Sequence, residues 1–155
     1  MGWVQGKLPG AITQIARLAY RSAVPAASRS PLGRVLGAVA VGGALGSLGR
    51  WGISLVLGPW EGSGIPLSTL IVNLLGCLAI GVLASLPRLQ GGPTWLRPFL
   101  INGVLGGFTT FSALALEVGV LAEGGQAIAG TAYLLLTVAG GVAAVALGRV
   151  LAGNR

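Results

Sequence analysis

Apolar residues in this chain do not alternate with polar ones. They run on for about 20 positions at a time, separated by proline, glycine or charge, and the runs fall near Val35 to Leu57, Leu67 to Leu86, Phe99 to Leu121 and Ala127 to Leu147. Wound as a helix, each run is long enough to cross a bilayer core of roughly 30 Å. Ser30-Pro31 and Ser63 to Pro66 read as helix-entry punctuation, and Leu86 to Pro98 reads as a polar connector with Trp95 at interfacial height. The connections are short. The pattern therefore predicts an all-α membrane protein, a single compact bundle of four transmembrane helices over residues 35–148, between a 34-residue arm and a short tail at 149–155.

Composition narrows the chemistry. Of 155 residues 54% are hydrophobic and only 8% charged, the signature of an integral membrane protein. His and Asp are absent, and the acids are Glu61, Glu117 and Glu123 alone. Zinc sites of His and Cys, Ser-His-Asp machinery and paired-carboxylate catalysis thus lack raw material, and no enzyme is expected. The single cysteine, Cys77, lies in an apolar run and reads as a small buried hydrophobe.

Charge gives a topology. Five of the ten Lys and Arg residues (Lys7, Arg17, Arg21, Arg29 and Arg34) precede the first span, which suits a topology signal better than a nucleic-acid surface. With four spans, the arm, the second connector and the tail share one side, and nine of the ten cations fall there while the other side has none. The positive-inside rule then places both termini in the cytoplasm of a multi-pass cell-membrane protein. In the basic, acid-free arm, Ile12, Ile15 and Leu18 recur at helical spacing beside Arg17 and Arg21. An interfacial amphipathic helix, a disordered tail, a start codon assigned too early and a transit peptide all fit that composition.

Polar groups inside hydrocarbon must pair, pack inward or line a wet path. Arg50 in the first span either snorkels to the interface or serves a function there. Asn73, mid-span in the second, either joins helices or offers amide donors to an anion. Glu117 suits an interfacial carboxylate. Tyr133 and Thr137 are one turn apart, with Gly141 next on the stripe, which makes a polar track or a small-residue packing face. In the third span, "GVLGGFTTFS" (Gly103 to Ser112) packs three glycines, two threonines and a serine into ten residues. Gly106 and Gly107 weaken the helix, while Thr109, Thr110 and Ser112 can satisfy its freed hydrogen bonds, so a mid-membrane break is expected. A break exposes carbonyls that bind cations and amides that bind anions, hence an ion site, with the ion unnamed.

From about Leu36 to Gly148 the chain resembles the Fluc (CrcB) family of fluoride channels. The matching segments are "GGALGSLGRW" (Gly42 to Trp51), "STLIVNLLG" (Ser68 to Gly76) and "GVLGGFTTFS", in that order, with the spacing of Glu117 and Tyr133 also agreeing. The resemblance implies an antiparallel, inverted dimer of four-helix subunits with two narrow fluoride pores along the subunit boundary. It also implies one structural, untransported Na⁺ at the dimer centre, held by the backbone carbonyls of Gly106 and Thr109. By position, Asn73, Phe111, Ser112, Thr110, Tyr133 and Thr137 would line the fluoride path, and Arg50 and Glu117 would shape the vestibules. The edge of the Phe111 ring carries the positive side of its quadrupole and can face a small anion. The implied function is passive export of fluoride.

Leu114 departs from the family pattern, standing where a second phenylalanine is expected, and the fourth-helix track stops at Gly141. That leaves open an impaired pore, a pore completed by a homologous partner chain, and an assembly subunit without transport of its own. A small multidrug-type exporter is the other four-helix dimeric class. It requires an acid in the first span, where this chain has none.

Overall fold

The computed structural model describes residues 32–153, apart from 59 and 63. The amphipathic segment expected near Ile12 to Ser22, the Ser30-Pro31 boundary and the end of the tail lie outside the described residues. Among those described, the chain is all-helical and has four long apolar helices. The first is α1 (Leu32–Leu57) and the second α2 (Leu67–Ser85). The third span, Pro98–Glu123, is assembled from α4 (Pro98–Leu105), α5 (Gly106–Phe108) and α6 (Phe111–Glu123). The fourth is α7 (Ala127–Gly153), and a single turn, α3 (Pro87–Gln90), interrupts the connector. Even the shortest, α2, spans about 28 Å, enough for the hydrocarbon core. Arg34 lies within α1 and Arg149 within α7.

Local chemistry sets the ends. Leu86 is extended (φ −79°, ψ 118°) because the ring of Pro87 disfavours helical geometry in the residue before it, and α2 stops there. Between α6 and α7 the chain reverses in three residues. Gly125 takes φ +75°, and the amides of Gly124, Gly125 and Gln126 donate to the carbonyls of Val120, Ala122 and Leu121, which satisfies the end of α6.

Lipid tails are as apolar as leucine, so helices in a membrane associate by close backbone approach more than by hydrophobic burial. Glycine supplies that approach on two seams. Along the first, a Cβ on Gly42 would lie 2.5 Å from the Phe99 carbonyl oxygen, and Cβ atoms on Gly46 and Gly107 would strike the carbonyls of Val104 and Gly43. Helix α1 thereby lies directly on α4 and α5. Along the second, Cβ atoms on Gly81 and Gly148 would strike the carbonyls of Val145 and Leu78, joining α2 to α7. Helix α2 also touches α4, α5 and α6, so it joins the third span to α7. Leu70, Leu114, Leu121 and Tyr133 form the buried cluster between α2, α6 and α7, whereas residues such as Leu36, Val56, Ile128 and Val142 point outward to where lipid would be.

The third span departs most from regular geometry. Helix α4 is wound with wide π-type turns, a feature the sequence pattern did not disclose. After α5, Thr109 (φ −76°, ψ 157°) and Thr110 (φ −149°, ψ 121°) are extended, and a new helix begins at Phe111.

Candidate ion pathway at the helix break

An extended pair of residues inside a membrane helix leaves backbone groups to be satisfied elsewhere. Each rerouted bond can be followed. The amide of Thr110 would close a helical turn onto the Gly106 carbonyl, but it donates instead to Asn73 Oδ1 at 2.8 Å. Asn73 Nδ2 in return donates to the Thr110 carbonyl at 3.0 Å. The donor amide fixes which end of the carboxamide is oxygen. The amide of Ala113 would close onto the Thr109 carbonyl, but it donates to Thr110 Oγ1 at 3.1 Å, so Thr110 is the N-cap of α6. The Thr109 side chain turns back on its own helix, its hydroxyl donating to the Leu105 carbonyl at 2.9 Å and its methyl lying over Gly76. The Gly107 carbonyl accepts from α1, from Ser47 Oγ at 3.4 Å and Arg50 Nε at 3.3 Å. The carbonyls of Gly106 and Thr109 have thus lost their helical amide partners to other acceptors.

Two cavities flank the break, each of about 330 Å³, and Thr110 lines both. One is the more polar, walled by Arg50, Ser54, Thr69 and Glu117, with Trp60 and Val120 beside them. The other is lined by Asn73, Phe111, Thr137 and Thr109 with apolar neighbours that include Cys77 and Leu114. Glu117 is held between two hydroxyls, Thr69 Oγ1 donating to one carboxylate oxygen and Tyr133 Oη to the other, both at 2.7 Å. Tyr133 is fully buried.

The donors left for an anion follow by counting hydrogens. Asn73 keeps one N–H beyond its bond to Thr110. The hydroxyls of Thr110 and Ser112 lie 3.1 Å apart, and whichever donates to the other, one hydroxyl hydrogen is left over. Thr137 donates to the Tyr133 carbonyl at 2.8 Å and Tyr133 to Glu117, so in this arrangement neither presents a hydrogen to the cavity. Phe111 is 74% exposed on the outer face, and Gly106 is also exposed. Of the residues singled out from sequence, Asn73, Thr109, Thr110, Phe111 and Thr137 therefore share one cavity, and Arg50, Thr110 and Glu117 share the other. Ser112 and Tyr133 attach to them by hydrogen bonds. Sequence reasoning missed Ser47 and Thr69. The available signal was position, since Thr69 is one helical turn before Asn73 and Ser47 three residues before Arg50.

Four apolar helices, one carrying extended backbone between two cavities, define a polytopic helical membrane protein. The family it belongs to is CrcB: the family model described as CrcB-like protein, Camphor Resistance (CrcB), matches residues 37–149. The chain is 49% identical over 110 residues to the fluoride-specific ion channel FluC of Paracoccus denitrificans, covering 71% of this chain and 87% of that one. The proteins of the same name from Rhodospirillum centenum and Ruminiclostridium cellulolyticum are 45% and 41% identical, covering 91% and 89% of their own lengths and 71% and 74% of this chain. This is an ion-channel family and not an enzyme family.

Proposed function

We propose that the protein conducts fluoride passively across the cell membrane and so lowers its cytoplasmic concentration. The observation that carries this reading is the joint between Asn73 and Thr110, which separates two cavities and offers dipolar donors at the joint itself, one amide and one hydroxyl hydrogen, while the Arg50 cation stands on the wall of one cavity. Such donors can replace part of the water shell of a small, strongly accepting anion without trapping it as a fixed cation would. The names of the relatives agree with this choice of ion. Purified protein in liposomes should release fluoride down its gradient with no energy source and release chloride far more slowly; equal fluxes of the two would sink the reading.

The same reading takes the unit to be an inverted dimer. Phe111, exposed on one chain, needs a second body opposite it before it can line a pore. The carbonyls of Gly106 and Thr109, deprived of their amides, are hard oxygen donors suited to Na⁺, and with their mates across the dimer they would complete a structural site. When bound there, Na⁺ would supply the positive charge that stabilises those oxygens. Arg50 and Glu117 belong to the vestibule leading to the joint, and both termini are cytoplasmic.

A second reading concerns the partner. The described loops between α1 and α2 and between α6 and α7 hold no Lys or Arg, whereas Arg34, Arg88, Arg97 and Arg149 all belong to the opposite side. So biased a chain favours one orientation, and its inverted mate would then be a homologous second chain. Leu114 fits that reading: it is buried among Leu70, Leu121 and Tyr133 and also lines the cavity that Asn73 and Phe111 share. A partner carrying an aromatic there would keep one pore complete.

A further inference from the structure

Gly43, Ser47, Arg50 and Ser54 follow one another at helical spacing on α1, and this stripe crosses α5 at the break. A Cβ on Gly107 would strike the Gly43 carbonyl, so the two backbones are in direct contact. One turn further along, Ser47 Oγ and Arg50 Nε both reach the Gly107 carbonyl, at 3.4 and 3.3 Å. This is capping of a helix C-terminus, with the donors supplied by another helix. A guanidinium there also opposes the negative end of the helix dipole.

The consequence lies in which carbonyls are left. Leu105 oxygen is taken by the amide and hydroxyl of Thr109, and Gly107 oxygen by α1. Gly106 and Thr109 oxygens, on either side of Gly107 in sequence, have lost their helical amides. We infer that Ser47 and Arg50 form a cross-helix cap that draws the Gly107 carbonyl toward α1 and holds the break in its cation-binding form. Arg50 is thereby a positioning residue for the sodium site as well as a wall of the vestibule. This rests on the sodium reading above. Arginine suits both tasks, because Nε can hold Gly107 while the terminal nitrogens remain for the polar cavity, and lysine has a single head and must choose.

The test measures thermal unfolding of the purified full-length protein as Na⁺ replaces N-methylglucamine at constant ionic strength. Wild type should gain stability with sodium and reach half-maximal gain at a definable concentration. In R50K that concentration should rise about tenfold, the loss of one charge-assisted hydrogen bond, and in S47A about two- to threefold. A wild type that gains nothing from sodium removes the sodium reading and this inference with it. A wild type that does gain, beside R50K and S47A with unchanged sodium midpoints, overturns this inference alone. So does a drop in melting temperature of the same size at every sodium concentration, which would mark a merely structural role. Should R50K not fold, the S47A midpoint decides alone.

Discussion

The carboxamide of Asn73 meets the main chain of Thr110 twice, accepting from its amide at 2.8 Å and donating to its carbonyl at 3.0 Å. The geometry is that of a bridge between strands, made here by a side chain on α2 to extended backbone in the third span. It replaces the helical bonds that the break removes, and it does so at a buried position. Asp at position 73 could still accept from the amide but would set a carboxylate oxygen against the Thr110 carbonyl. Asn73→Asp should therefore abolish fluoride flux and lower stability by about 2–3 kcal/mol, the cost of an unsatisfied, repelled pair of buried acceptors. Flux from liposomes together with thermal unfolding in detergent checks both. Unchanged stability would mean that the bridge is not what holds the break.

The glycine seams make a sharper structural prediction. Gly46→Ala and Gly81→Ala each drive a Cβ into a carbonyl of the facing helix, so the helices must separate, at about 1–3 kcal/mol each. Gly119, on α6, has nothing within 4 Å of the place a methyl group would take, and alanine is the better helix former. Gly119→Ala should be neutral or stabilising by up to about 1 kcal/mol. The three variants compared in one unfolding assay test the packing with an internal control.

Glu117 bonds to two hydroxyls from different helices, and the pair should act as a unit. Removing the Tyr133 hydroxyl by Y133F leaves one carboxylate oxygen short of a donor, and T69A does the same to the other. Each should slow fluoride flux about tenfold, corresponding to one lost hydrogen bond to a charged group. The double variant should lose less than the product of the two, because the carboxylate, once released, is free to turn to water. Multiplicative losses in a double-mutant cycle on flux rates would show that the hydroxyls act separately.

The four spans were legible because about 20 uninterrupted apolar residues leave a helix few alternatives, and the positions of Pro66 and Pro87 marked two of the ends. The break was legible as a cluster of Gly and Thr, but its place was not. Gly106 and Gly107 look like the weak point, yet both remain helical and the extended residues are Thr109 and Thr110. The reason is tertiary: Asn73 supplies a partner for the backbone of Thr110, and Gly107 is needed for the approach of α1. The π-type turns of α4 leave no mark in the apolar pattern, and α1 lies against their backbone from Phe99 to Val104. Asn73 reads from sequence as either a helix-joining carboxamide or an anion donor, and most of its hydrogen-bonding capacity is spent on the backbone of Thr110. Nothing in one sequence distinguishes those two uses of a carboxamide.

Orientation can be decided directly. An inverted homodimer requires each chain to insert both ways, which a weakly biased chain does and a strongly biased one does not. Charges more than about 15–20 residues from a span count little, so Lys7 can be set aside. Arg17, Arg21, Arg29, Arg34, Arg88, Arg97, Arg149 and Arg155 remain in the sequence, against none in the described parts of the α1–α2 and α6–α7 loops, where Glu61 and Gln126 stand instead. Glu61 is exposed in the first of those loops and serves as a reporter. In a Cys77→Ala background, E61C should react with an impermeant maleimide on intact cells and stay unreactive in inverted vesicles. On the second reading, in which the mate is a homologous chain, fluoride flux from liposomes holding this chain alone should be weaker than when a homologous chain of opposite orientation is supplied. Labelling from both sides would show dual insertion and remove the need for a second chain, and fluoride flux from the single chain would then follow with Leu114 tolerated in both pores.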